Sequence, residues 1–77
     1  MACNVVRMKT FGTFLERVGN RIKSMRKRSG LTQETVSEGV GMPYRRYQSI
    51  EAGKANLTLK SIFRIARYFR REPKTLL

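Results

Sequence analysis

From Phe11 onward the apolar residues fall three or four apart. Phe11, Phe14, Leu15, Val18, Ile22 and Met25 mark one face, and Arg17, Arg21, Lys23 and Lys27 the other. That period predicts an amphipathic helix. Gly30 is its natural stop, preceded by Arg26, Lys27 and Arg28, cations that the helix dipole favours in a last turn. Thr32 stands three residues before Thr35, as an N-cap does, and predicts a short second helix with Val36 and Val40 inward. Gly41 is expected to supply the left-handed closing turn, and Gly39 to weaken the last turn by about 1 kcal/mol relative to alanine. Pro43 presets φ for a third helix that ends near Gly53, with Tyr47 and Ile50 inward and Tyr44, Arg45, Gln48 and Ser49 outward. Thr58 caps a fourth, along which Leu59, Ile62, Phe63, Ile65, Ala66 and Phe69 form a wide apolar stripe. Glu72-Pro73 opens a fifth, with Leu76 and Leu77 on its apolar side. The expected fold is all-α and compact: five short helices, no strand and no repeat. Residues 1–10 lack periodicity and read as a flexible basic N-terminal arm ahead of a single domain at 11–77.

Composition narrows what such a domain can do. The 77 residues carry 17 Lys+Arg against 5 Asp+Glu, a formal net charge of +12, and 40% of them are hydrophobic. A packed core is expected, and a polyanionic partner. Cys3 is the only cysteine and there is no histidine, which excludes an intramolecular disulfide and an ordinary Cys/His zinc site. No metal or cofactor is expected. Aspartate is also absent, so the carboxylates are Glu16, Glu34, Glu38, Glu51 and Glu72, without a base or dyad pattern. Catalysis is not expected. No apolar run approaches the ~20 residues of a membrane span, and MACNVVRMKTFG lacks the apolar centre of a secretory signal. The chain reads as cytoplasmic, with no membrane partner.

Two short helices joined by a glycine-containing turn, in a small basic helical domain, match a helix-turn-helix reader of the DNA major groove. The stretch LTQETVSEGVGMPYRRYQSIEAGKANLTLKSIFRIARYF, residues 31–69, carries a more specific signal. Its Leu31-Thr32-Gln33-Glu34, Gly41, Ile50-Glu51, Gly53-Lys54, Leu59 and Ile65-Ala66 resemble the Cro/lambda-repressor-like (Xre) helix-turn-helix family without a gap. With Gly19, Arg21, Ile22, Met25 and Arg26 before it, and Glu72, Pro73 and Leu76 after it, the likeness covers nearly everything beyond the arm. In size the chain resembles small phage-type repressors and restriction-modification controller proteins.

The resemblance implies a lambda-repressor-like domain whose helices 2 and 3 form the helix-turn-helix, and it assigns roles. Tyr44, Arg45, Ser49 and, in second rank, Gln48 fall on the base-reading positions. Arg45 can bond both acceptors of a guanine through its planar fork, or clamp a phosphate instead. Tyr44 can meet a sugar, a thymine methyl or a phosphate, or simply pack beside Pro43. Gln33 falls where the family holds a backbone phosphate from a helix N-terminus, the plainer alternative being a solvated polar side chain. Arg46, about 100° round the helix from Arg45, is assigned to phosphate, as are Lys54, Asn56 and Lys60. Arg26 and Glu51 occupy positions that form a partly buried ion pair in related repressors, and are read as structural. Leu57, Leu76 and Leu77 are the candidate homodimer contacts, with a local anchor as the other reading of Leu57. Two residues depart from the family pattern. Pro43 stands where a Ser or Thr cap is usual, which leaves the start of helix 3 open by a residue, and Leu57 replaces a usual proline.

The function implied is a sequence-specific double-stranded DNA-binding transcription regulator, a repressor or controller. It would bind a near-palindromic operator as a homodimer, with half-site centres ~34 Å apart. No small-molecule effector is expected, since no second domain is visible to hold one. The alternative is an antitoxin-like helix-turn-helix protein that masks a toxin partner and represses its own operon. A third reading takes SIFRIARYFRR, residues 61–71, as a basic membrane-surface or RNA-binding segment. It is the weaker account, because that stripe is needed for the core.

Overall fold

The computed structural model describes residues 10–77. Residues 1–9, which hold Cys3, Arg7 and Lys9 and almost all of the expected arm, lie outside the described residues. Thr10 belongs to the folded unit: its hydroxyl accepts from the Thr13 amide at 3.0 Å and caps helix α1, Phe11–Arg28. Helix α2, Gln33–Val40, is capped by Thr32, which accepts from the Thr35 amide at 3.1 Å. Helix α3, Tyr44–Glu51, follows a three-residue break, and helix α4, Leu59–Tyr68, is capped by Thr58 through the Ser61 amide. Pro43 is the residue before α3, with extended ψ and no side-chain bond, so the open helix start resolves to Tyr44.

The expected fifth helix is a 3-10 turn, Pro73–Leu76. Its backbone bonds join Thr75 to Glu72 and Leu77 to Lys74, three residues apart rather than four. The fold of the described residues is therefore four α-helices and one 3-10 turn, with no strand among them.

All four helices close in the same way, through a residue in the left-handed region that lets the next amides reach back to the last turn. Gly30, Gly41 and Gly53 have φ of +70°, +82° and +73°. The fourth closure uses Arg70 at φ +56°, with the Arg71 amide bonded to the Ala66 carbonyl at 2.9 Å. At Gly53 the chain passes so close to α1 that a Cβ would lie 2.7 Å from Glu16 Cα.

The core is drawn from every element. Val18 and Ile22 of α1, Val36 and Val40 of α2, Tyr47 and Ile50 of α3, Ile62, Ile65 and Ala66 of α4, and Leu76 of the 3-10 turn form one buried cluster. Met25, Met42, Leu57, Tyr68 and Phe69 pack half-buried around it. Three expectations change here. The stripe of α4 is narrower than its spacing suggested: Leu59 is 83% and Phe63 52% exposed, because Ser61 takes a buried position and the inward face is centred on Ile62, Ile65 and Ala66. Gly39 is a packing requirement rather than a weak point, since a Cβ there would overlap the Tyr68 ring. Leu76 is fully buried in the chain's own core and has no face to offer a second copy.

Candidate nucleic-acid interface

Helix α3 is held by what it buries. Tyr47 and Ile50 enter the core one turn apart, which turns Tyr44, Arg45, Arg46 and Gln48 to solvent; Ser49 is half-buried at the edge of that face. Tyr44 is 43% exposed, so part of its ring is open to solvent. The side chains assigned to base reading thus share the outer side of one short helix.

The pitch of α3 is fixed at its C-terminal end. Gly19 of α1 lets the backbones meet: a Cβ there would stand 2.6 Å from the Glu51 carbonyl oxygen. Beside this contact, Arg26 Nε donates to Glu51 Oε2 at 2.7 Å and Nη2 to Oε1 at 3.1 Å, while Nη1 donates to the Leu31 carbonyl at 2.9 Å. Gln33 Nε2 adds a bond to Glu51 Oε1 at 3.0 Å. Side chains of α1 and of the first turn of α2 therefore converge on one carboxylate at the end of α3. A two-pronged Arg–carboxylate bond is directional, so this network sets the angle between α2 and α3.

The carboxylate is ionised in this setting. Burial pushes the Glu51 pKa up, but the hydrogen bonds from Arg26 and Gln33, with the Tyr47 hydroxyl nearby, outweigh it, and the net shift is downward. Arg26 moves up, chiefly through the same bond to Glu51. Burial, and then the adjacent carboxylate, raise Tyr47, whose hydroxyl lies inside the core without a hydrogen bond of ordinary geometry.

Gln33 is therefore not a merely solvated polar residue. One amide hydrogen is committed to Glu51, and an amide nitrogen carries a second. Lys54 and Asn56 sit exposed in the loop after α3, and Lys60 in the first turn of α4. Arg46 reaches this loop, with Nη2 3.5 Å from the Asn56 backbone carbonyl, which brings its side chain to the loop that carries Asn56. Of the leucines assigned to a homodimer contact, Leu57 is half-buried against the core and Leu77 is 40% exposed.

One organising residue was missed by sequence reasoning. Arg64 of α4 donates through Nη2 to the carbonyls of Val40 at 2.9 Å and Gly41 at 3.2 Å, fastening the turn between α2 and α3. A cation seated on the last carbonyls of a helix is favourable, but a partner 24 positions away leaves no local pattern in the chain.

Comparison with known proteins agrees with this geometry. The helix-turn-helix family model HTH_3 matches residues 22–76, from the middle of α1 through the 3-10 turn. The chain belongs to the Xre-like HTH_3 helix-turn-helix family. Its fold is similar to that of the restriction-modification controller protein C.AhdI from Aeromonas hydrophila, at 30% identity and a TM-score of 0.79, over 82% of this chain and 96% of that one. It is also similar in fold to an HTH_3 family transcriptional regulator from Vibrio cholerae, at 22% identity and a TM-score of 0.81. That match covers 87% of this chain and 38% of the Vibrio protein. No curated protein matches in sequence. The matched span contains α2, α3 and the turn between them, which Gly41 closes and Arg64 fastens, together with the Arg26–Glu51–Gln33 network at the end of α3. Among the described residues no helix is long and apolar enough to cross a membrane, and no group of acidic, cysteine or histidine residues could hold a metal ion.

Proposed function

We propose that this HTH_3 protein is a sequence-specific double-stranded DNA-binding transcription regulator, a repressor or controller, that places α3 in the major groove of a near-palindromic operator as a homodimer. The observation that carries the reading is the outward row of α3: Tyr44, Arg45 and Gln48 exposed on a helix whose opposite side is locked into the core. The likeness to a restriction-modification controller over nearly all of that protein's length supports the regulatory class. Arg45 and Tyr44 read bases, with Gln48 and Ser49 at the margin of the row, while Gln33, Arg46, Lys54, Asn56 and Lys60 hold the phosphates on either side. The spare amide hydrogen of Gln33 suits this task, because its bond to Glu51 fixes the direction in which the other points. The homodimer contact draws on apolar side chains left in solvent, Leu77 and the Leu59–Phe63 pair of α4, rather than on Leu76.

The test is Arg45→Ala on a selected operator and on single-base variants of it. The variant loses about 1–3 kcal/mol on the cognate site and its preference at one position disappears. An equal loss on every sequence would make Arg45 a phosphate contact and move base reading elsewhere.

A further inference from the structure

Helix α1 carries a second basic surface that the operator interface does not use. Arg17, Asn20, Arg21, Ser24 and Arg28 line a groove of about 520 Å³ between α1 and the 3-10 turn, with Met25 and Thr75 against it. It continues past Arg28 to Arg71. Arg21 is fixed in place, with Nη1 donating to the Thr75 carbonyl at 3.2 Å.

The position of this groove follows from helix geometry. Gly19 and Arg26 face α3, through the close backbone contact and the ion pair with Glu51. Arg17 and Arg21 are each two residues from Gly19, and Ser24 and Arg28 each two from Arg26. Two residues turn the helix by about 200°, so this row lies on the side of α1 that faces away from α3. Arg45 is exposed on α3 and lines neither part of the groove, so the two surfaces are separate. As many arginines line this groove as there are cations assigned beside α3, namely Arg46, Lys54, Lys60 and Arg45 itself.

We infer that the groove of Arg17, Arg21, Arg28 and Arg71 binds the phosphate backbone of a second nucleic-acid duplex segment, so that one protein assembly holds two stretches of DNA. Guanidinium forks suit phosphate oxygens, and neutralising phosphates releases counterions without needing a particular sequence. A second copy of this chain does not fit the groove, because it would bring arginines against arginines. An apolar protein partner fits poorly as well. None of the large exposed hydrophobic side chains, Phe11, Tyr44, Leu59, Phe63 and Leu77, lines the groove, whereas protein interfaces centre on such residues and nucleic-acid interfaces are polar and strongly positive. This inference stands on the groove itself and goes beyond the reading of α3.

The experiment uses the full chain and two populations of a 30-base-pair duplex carrying the selected operator, one labelled with a donor fluorophore and the other with an acceptor. Wild type produces energy transfer between duplexes, and Arg28→Ser/Arg71→Ser needs at least tenfold more protein to do so. The same double variant binds a single labelled duplex within twofold of wild type, which also shows that it folds. Lys23→Ser/Lys27→Ser removes equal charge from exposed positions outside the groove and bridges as wild type does. The inference is overturned if wild type binds one duplex but never bridges, if the groove variant bridges equally well, or if both double variants lose bridging alike. It is also overturned if a polyglutamate peptide, rather than duplex, binds wild type and not the groove variant, since the groove would then take an acidic protein. Bridging that is lost in the groove variant, by a protein that shows no preference among duplex sequences, would uphold the groove and contradict the reading of α3.

Discussion

Glu51 shows how a single buried carboxylate supports a candidate binding surface from behind, through Gln33 and the end of α3. It is buried, ionised and shared between Arg26 and Gln33, and its backbone is pressed against Gly19. Removing one partner of such a pair leaves the other charge uncompensated, at a cost of about 3–5 kcal/mol. That is a large share of the stability of a domain this small. Glu51→Gln is therefore expected to shift urea unfolding strongly at pH 7. The pH dependence has a definite sign. Because the folded pKa of Glu51 lies below its ordinary value, the unfolded chain binds the proton more readily, and the contribution is present above the usual carboxylate range and lost as pH falls through the folded pKa. Wild type should lose stability progressively below about pH 5, and Glu51→Gln should show a smaller loss over the same window. Equal slopes in the two proteins would remove Glu51 from the acid response.

The helices show which parts of the fold are written locally. Thr32, Thr58 and Gly41 each act on a residue within four positions, and their roles follow from spacing alone. Tyr47 and Ile50 are equally legible, because a short helix with two apolar residues on one side has few ways to face the core. The stripe of α4 is not, since period alone cannot say which half of a wide apolar arc a neighbour will cover, and Leu59 and Phe63 lie on the uncovered half. Gly19, Gly39 and Arg64 are invisible for a different reason: each acts on a partner more than twenty positions away. The closing residue of α4 makes a further prediction. Arg70 is a non-glycine residue in the left-handed region, which costs about 1–2 kcal/mol, partly offset by its lower freedom in the unfolded chain. Arg70→Gly is expected to raise stability by about 0.5–1 kcal/mol in thermal or urea melts. A loss of stability would mean that the side chain makes contacts worth more than the strain.

For the whole molecule, charge and shape divide the labour. In the proposed function the net charge of +12 supplies affinity for phosphates in general, and the placement of α3 supplies choice among sequences. Lys54 and Lys60 belong to the first term. Replacing either with alanine should flatten the dependence of log affinity on log salt by about 1 and leave sequence preference intact. A slope that stays the same would place that lysine outside the interface. The candidate site was thus legible in kind, through the resemblance and the outward row of α3, and so was the Arg26–Glu51 pair behind it, through the resemblance alone; the bond from Gln33 to Glu51 and the clamp by Arg64 were not, because they exist only once the helices have packed.

The central claim is that α3 reads duplex sequence, and it is tested most directly by selecting bound duplexes from a random DNA pool at two salt concentrations. The account predicts a two-fold symmetric motif that survives the higher salt, with half-site centres ~34 Å apart. Recovery of unselected sequence, with binding that vanishes as salt rises, would contradict it and leave the positive charge as a general attraction for polyanions.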